Sequence, residues 1–266
     1  MPLNTFNNTV SFFDIAAGKL PGSLAINKFG EAPSGIQTTL TDIWSRADAT
    51  PTQQIWLAPT SAKVHALVSS SDSDGKTGAP ASVGARTIRI YGLKTWDTAE
   101  SSEDVTLDGT TPVNTANSYV IIHRMKVLTS GTSGPNVGTI TATAADLGTV
   151  TATIIATDGQ TEMAIYGVPS TKDAYCPGWY AGIDKSSGLV VSVDYHLLVN
   201  EAPNVNPIVF LRKDDITLQS NGTSMFQKQF IIPAKFSGPC IIKVGATASS
   251  ADTDGVAGFD LVMVDK

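Results

Sequence analysis

The sequence predicts an all-β protein that consists of two jelly-roll-like β-sandwich modules in tandem, preceded by an extended N-terminal arm. Three observations favour this fold class. Short runs alternate between apolar and polar residues with a period of two, as strands with one buried face do. Gly, Pro, Asn and Asp residues separate these runs at short intervals, which is typical of turns. No helical period persists beyond two turns, and the best short helix candidate is residues 42–47.

The size and composition of the chain permit a large core and exclude several classes of partner. The 266 residues, 42% of them hydrophobic, suffice for one large β domain or two of ordinary size. Charged residues make up 16%, below the usual quarter, which suits a surface in broad contact with neighbouring proteins. The formal net charge of −6, without a basic cluster, argues against nucleic acid as a partner. No apolar run reaches about 18 residues, so no membrane span is expected.

Residues 1–35 form the predicted arm. They carry large apolar side chains without a sustained period, so they cannot form a core of their own, yet these groups are unfavourable in water. We expect the segment either to pack on another molecule or to fold back over its own domain. The candidate partner-binding residues are Phe6, Phe12, Phe13, Ile15 and Phe29. The segment lacks the basic start and apolar centre of a secretory signal, so we expect folding in a cytoplasm.

The first module is predicted to span residues 36–160. Its candidate strands are 38–44, 54–57, 63–68, 86–92, 104–107, 119–128, 138–144 and 149–156. Residues 119–128 are apolar on both faces, which predicts a central strand. Threonines alternate in 139–143 and in 149–153, and the turn residues between these segments predict a hairpin.

The second module is predicted to span residues 161–266. Its candidate strands are 161–168, 174–183, 190–199, 208–211, 217–218, 224–232, 241–246 and 259–264, a number typical of a jelly roll. Pro233 and the Gly238-Pro239 pair are expected to separate two of the last strands, because proline cannot donate to a ladder. Cys176 and Cys240 are expected to be buried free thiols, although a single disulfide stays open.

Two loops share a sequence pattern. Residues 64–75 read VHALVSSSDSDG and residues 244–255 read VGATASSADTDG, which indicates either an internal duplication or the chance recurrence of common loop residues. Asp-x-Asp-Gly also opens a calcium-binding loop, so the weak candidate metal ligands are Asp72, Asp74, Asp252 and Asp254. The remaining ligands of such a loop are missing, and no metal site is predicted unless a neighbouring loop or subunit completes it.

No catalytic constellation is visible in the sequence. His65, His123 and His196 lie in separate strand-like runs without a partner at metal-ligand spacing, so structural roles are expected. There is no nucleophile elbow, phosphate loop or dinucleotide-binding glycine pattern. We therefore expect a protein that is not an enzyme and needs no cofactor.

Five stretches spread over the chain are FFDIAAGKLPGSLAINKFG, GARTIRIYGL, YVIIHRMKVLTSG, GQTEMAIYGVP and AGFDLVMVDK. In this order they resemble uncharacterised virion structural proteins of tailed bacteriophages from marine and freshwater bacteria, cyanophages among them. The resemblance implies a capsid decoration or cement protein, assembled into the virion in the host cytoplasm. It further implies a homotrimer that binds the major capsid protein or other virion proteins by multivalent contacts.

A second interpretation of the same resemblance is a tail or fibre component that contacts the host surface. Exposed aromatic residues at loop tips would distinguish it, and the candidates are Trp96, Trp179 and Tyr180. In the alternative structural interpretation, these aromatic side chains belong to the core or to an interface.

Overall fold

The computed structural model describes residues 12–47, 53–75, 83–145, 147–184, 190–222 and 224–266. The predicted all-β class is confirmed: apart from helix α1 (Phe12–Ala16) and a 3-10 turn at Ser45–Ala47, the regular elements are strands. The strands are β1 (Ser23–Ile36), β2 (Thr41–Asp42), β3 (His65–Ser69), β4 (Ala85–Leu93), β5 (Ser101–Thr106), β6 (Val113–Asn114), β7 (Ile121–Ser130), β8 (Ile140–Ala144), β9 (Val150–Ile154), β10 (Ile165–Val168), β11 (Lys172–Asp184), β12 (Ser192–Asn200), β13 (Leu211–Gln219), β14 (Met225–Ser237), β15 (Cys240–Ala248) and β16 (Thr253–Asp265).

Eight of these strands form a jelly roll. One sheet has the order β1-β16-β11-β14, and the other has the order β10-β15-β12-β13, with β2 also paired to β15. Numbered along the roll, the first strand pairs with the eighth, the second with the seventh, the third with the sixth and the fourth with the fifth. All four pairs are antiparallel. This nested pairing is what results when a long antiparallel ribbon is rolled into two packed sheets.

A second sandwich is inserted into this jelly roll between β2 and β10. Its sheets have the orders β6-β3-β8-β9 and β5-β4-β7. The chain leaves the jelly roll and returns to it at one point, where Trp44 and Met163 form an isolated bridge. The two predicted modules are therefore not in tandem. The inserted sandwich lies between β2 and β10, and residues 23–42 belong to the jelly roll together with residues 165–265.

The predicted arm of residues 1–35 is wrong from Ser23 onward. Strand β1 pairs with β16 along its length, from Ser23↔Val264 to Ile36↔Thr253. Gly30 shows how closely β1 is packed, because a Cβ there would lie 2.4 Å from the backbone nitrogen of Ala164. The sequence pattern alone does not reveal this role, since the partner strand lies at the other end of the chain.

Three further predictions about strands need correction. Residues 54–57 are not a strand, because the Trp56 backbone N–H donates to the Asp42 carboxylate (2.8 Å) instead of to a ladder. Strand β7 is not central: it is the outer strand of its sheet and pairs with β4. On its other side, the described residues form only a short bridge to Gln160. Pro233 does not end a strand, because β14 continues through it. The predicted threonine hairpin is confirmed, with Thr141 opposite Thr153.

A buried ion pair links the start of the chain to its end. The Lys243 ammonium on β15 lies 2.6 Å from the Asp42 carboxylate on β2, and both side chains are buried. The ammonium also lies 4.0 Å from the centre of the Phe210 ring. Each charge is tolerated in the core only because the other neutralises it.

Removing one charge of this pair is expected to destabilise the fold strongly. Asp42→Asn keeps the shape but leaves the Lys243 ammonium buried without its counter-charge, so we expect the free energy of unfolding to fall by about 3–5 kcal/mol. Chemical denaturation measures this change. The double variant Asp42→Asn/Lys243→Met serves as the control and should recover part of the loss. A loss below about 1 kcal/mol in the single variant would contradict the role of the pair.

Two truncations test whether β1 belongs to the jelly roll. A chain that starts at residue 20 loses α1, which has no buried residue, and should melt cooperatively within a few degrees of the full chain. A chain that starts at residue 37 lacks β1 and leaves one edge of β16 unpaired, so we expect no cooperative melt of the jelly roll. Circular dichroism during heating distinguishes the two. An unchanged melt of the shorter chain would show that β1 is dispensable.

Candidate interaction surface

Strand β14 forms an open edge of the jelly roll. It pairs with β11 on one side, and no described strand pairs with its other side. Over 13 residues, such an edge presents unpaired backbone donors and acceptors to a second chain. Natural proteins usually protect an edge of this length with charges, prolines or covering segments.

An apolar bulge projects from this edge. Cys176 pairs with Ala234 and Gly178 pairs with Gln229, so a single residue of β11 lies opposite residues 230–233 of β14. The extra residues loop out of the ladder and leave Ile231 fully exposed and Ile232 83% exposed. Pro233 is tolerated here because the bulge makes no ladder bond at that position.

The lysines of β14 do not protect the edge, because both are paired within the chain. Lys228 lies 2.6 Å from Asp214 on β13, and Lys235 lies 2.7 Å from Asp173 on β11. Burial raises the pKa of Asp214, but hydrogen bonds from Lys228 and Trp179 outweigh burial and hold it below its ordinary value. The hydrogen bond to Asp173 raises the pKa of Lys235. Each ammonium group is therefore paired with an aspartate of the same chain, and neither protects the open edge of β14.

A groove of about 720 Å³ lies beside the bulge, on the outer face of the sheet β1-β16-β11-β14. Residues of all four strands line it, and Phe12 of α1 forms part of its wall. Phe12 and its neighbour Phe13 are 65% and 85% exposed. Helix α1 ends at Ala16, and Gly18 just beyond it has a φ of +68°, in the left-handed region that favours glycine. We call α1, the groove and the outer side of β14 the edge surface.

The predicted partner-binding residues lie in different places. Phe6 is outside the described residues. Phe12 and Phe13 are on the edge surface, and Ile15 is half-buried in the same helix. Phe29 is half-buried in β1 and faces a cleft between the two sandwiches, so it is not part of an arm.

Sequence reasoning missed Ile231, the most exposed large apolar residue of the described ranges, and its neighbour Ile232, both on β14. Ile231 and Ile232 were assigned to an ordinary strand, although two consecutive large apolar residues before a proline interrupt the period of two. That interruption was the available signal for a bulge.

In the first acidic loop, Asp74 has a structural role. Asp74 is buried, and its carboxylate accepts hydrogen bonds from the Ser69 hydroxyl and from the backbone N–H groups of Ala85, Val137 and Gly138, all between 2.7 and 2.9 Å. These donors occupy both oxygens, which leaves little room for a cation.

The other three acidic residues also have no metal-like arrangement. Asp72 accepts from Thr110, which lowers the pKa of Asp72, and Asp252 accepts from Gln37. Asp254 lies in β16. Among the described residues, no three His, Cys, Asp or Glu side chains are grouped as metal ligands would be.

The remaining candidates are built into the protein interior. Trp179 is buried and donates to Asp214 (2.8 Å), and Trp96 packs partly buried against the core, so neither is a loop-tip aromatic. Cys176 and Cys240 are buried free thiols, and burial raises the pKa of each to about 12. Within the described ranges, no helix has the length and apolar character needed to cross a bilayer.

Comparison with known proteins gives only weak matches. No protein-family model matches the chain. None of the curated proteins matches it. A structure of the Gt strain of infectious bursal disease virus shares 11% identity over 92% of this chain and 71% of that chain, with a TM-score of 0.23. The VP2 subviral particle of the same virus shares 9% identity over 91% and 70%, with a TM-score of 0.22. TM-scores this low do not indicate a shared fold.

Replacing the exposed isoleucines tests the edge surface. Ile231→Ser/Ile232→Ser should change the free energy of unfolding by less than about 0.5 kcal/mol, because both side chains are already in water. The same variant should lower self-association, measured by sedimentation velocity over a range of concentrations. Val190→Ser, which alters an exposed apolar residue away from this surface, is the control. Equal association of all three proteins would contradict a role for the bulge.

Proposed function

We propose that this chain is a structural protein of a virus particle, of the capsid decoration or cement type. The edge surface carries the proposal, because a long open strand edge with exposed isoleucine and phenylalanine side chains is a liability for a protein that works alone. Such a surface is useful where another chain covers it permanently. Jelly rolls occur in virus capsids but also in lectins, so the fold by itself does not decide the role.

The finer proposal is a homotrimer of a tailed-phage particle that binds the major capsid protein or another virion protein. The resemblance of five sequence stretches to phage virion proteins supports the phage assignment. The low content of charged residues, 16%, supports broad contacts with neighbouring chains. In a symmetric oligomer, each edge surface repeats, so individually weak contacts add up to firm attachment. We assign the chain no catalytic activity and no cofactor.

Immunogold electron microscopy of intact particles tests this proposal. Antibodies against the recombinant protein are applied to purified particles of the virus that encodes the chain, and we expect label scattered over the heads. Label confined to the tail would contradict the cement role and favour the tail or fibre alternative. Absence of label from every particle would contradict any role in the virion.

A further inference from the structure

A polar cleft lies where the two sandwiches meet. It encloses about 410 Å³ between β1 and β10 of the jelly roll and β4 and β7 of the insertion. Its polar and charged lining includes Lys28, Tyr91, Glu100, His123, Arg124 and Gln160. The cleft and the groove of the edge surface share Ala25, Ile26 and Asn27 of β1, but the charged residues of the cleft are not part of the groove.

Lys28 brings a poorly compensated charge into this cleft. Its side chain is buried, with 7% exposure, and its ammonium donates to the His123 carbonyl oxygen at 2.6 Å. Among the described residues, this is the only hydrogen-bond acceptor of a group that can donate three bonds. No carboxylate of those residues lies within ion-pair distance of it. Glu100 attracts the Lys28 ammonium only from beyond ion-pair distance, and burial outweighs this attraction. A buried cation that is compensated so weakly is costly, which makes an anion a favourable guest.

Arg124 adds a second positive charge, and no carboxylate of the described residues forms an ion pair with it. Its guanidinium donates to the Gln160 side-chain oxygen (3.1 Å) and lies over the Tyr91 ring, 5.6 Å from its centre. Burial and repulsion from Arg124 lower the pKa of Lys28 to about 7. The two cations are therefore close enough to repel each other across the cleft.

Glu100, the carboxylate among the described residues that line the cleft, already has partners. Glu100 lies 2.6 Å from His123 Nε2 and accepts from the Tyr166 hydroxyl at 3.3 Å. Burial lowers the pKa of His123, so a neutral ring donates its Nε2–H to Glu100. Burial raises the pKa of Glu100, but the hydrogen bond from His123 and its other partners outweigh burial and lower it overall. At neutral pH, Glu100 supplies one negative charge, and Arg124 together with protonated Lys28 supplies two positive charges.

We propose that this cleft binds a small oxyanion, such as phosphate or sulfate, between Lys28 of the jelly roll and Arg124 of the insertion. An oxyanion can accept the free hydrogen bonds of the Lys28 ammonium and the paired N–H groups of the arginine at the same time. Since the two cations belong to different sandwiches, the bound ion holds the two sandwiches together. This inference does not depend on a role in a virus particle.

Isothermal titration calorimetry of the full chain tests the proposal, with sodium sulfate and sodium phosphate as probes at constant ionic strength. At about pH 6, below the pKa of Lys28, we expect saturable binding of one ion per chain. Lys28→Met should weaken binding at least about tenfold, because the anion loses its buried partner. Lys19→Met removes the same charge from an exposed residue paired with Asp14 and should leave the affinity unchanged.

The pH dependence provides a second readout. Sulfate keeps its charge from weakly acidic to weakly alkaline pH, whereas the Lys28 ammonium loses its proton as the pH rises through about 7 in the free protein. The other titratable residues that line the cleft with Lys28 are Glu100, His123, Arg124, Tyr91 and Tyr166. Of these, only His123 has an ordinary pKa near 7, and burial lowers the pKa of His123. Sulfate affinity should therefore fall as the pH rises through 7 in the wild type and should be nearly flat in Lys28→Met.

Two results would overturn the proposal. One is the absence of saturable binding of either ion to the wild-type chain. The other is equal affinity of the wild type and Lys28→Met. If circular dichroism shows that Lys28→Met does not fold, Arg124→Gln decides instead, because Arg124 is exposed at the rim and its replacement leaves the core unchanged. Unchanged binding in Arg124→Gln would then contradict the site.

Discussion

The pairing of β1 with β16 is the constraint on which the rest of the structure depends. It joins a strand near the start of the chain to the last strand and closes the jelly roll across nearly the whole sequence. The chain leaves the jelly roll to form the inserted sandwich and returns to the jelly roll at the same place, which the Trp44–Met163 bridge marks. The Asp42–Lys243 pair lies beside it and links β2 to β15 in the same closure. Loss of this long-range pairing would leave one edge of β16 without its partner strand.

At one end of the roll, β13 and β14 are the outer strands of their sheets. Among the described strands each pairs on one side only, but their exposed groups differ. On β13, Asp214 and Asp215 engage Lys228 and His196, so polar groups dominate this edge. On β14, the bulge turns Ile231 and Ile232 outward, where water cannot satisfy them. This arrangement does not stabilise the core of the protein. Contact with another chain would bury the two isoleucine side chains and pair the free backbone groups of β14.

The two Asp-x-Asp-Gly loops occupy matching positions in the two sandwiches. The first follows β3 and leads to β4 in the opposite sheet of the insertion, and the second follows β15 and leads to β16 in the opposite sheet of the jelly roll. Their hydrogen bonds differ: Asp74 is buried and holds three backbone N–H groups, whereas Asp252 takes a positive φ and accepts from Gln37. Both loops thus connect a strand of one sheet to a strand of the opposite sheet, but different hydrogen bonds hold them in place.

The sequence by itself determined the all-β class, most of the strands and the threonine hairpin, because alternation and turn residues act over a few neighbouring positions. It also indicated that Phe12 and Phe13 lack a place in a core. Only the tertiary structure decided that β1 belongs to the jelly roll, that one sandwich interrupts the other, and that Lys28 meets Arg124 in a shared cleft. These features depend on pairings between residues far apart in the chain, and periodicity carries no information about which distant strand becomes the partner.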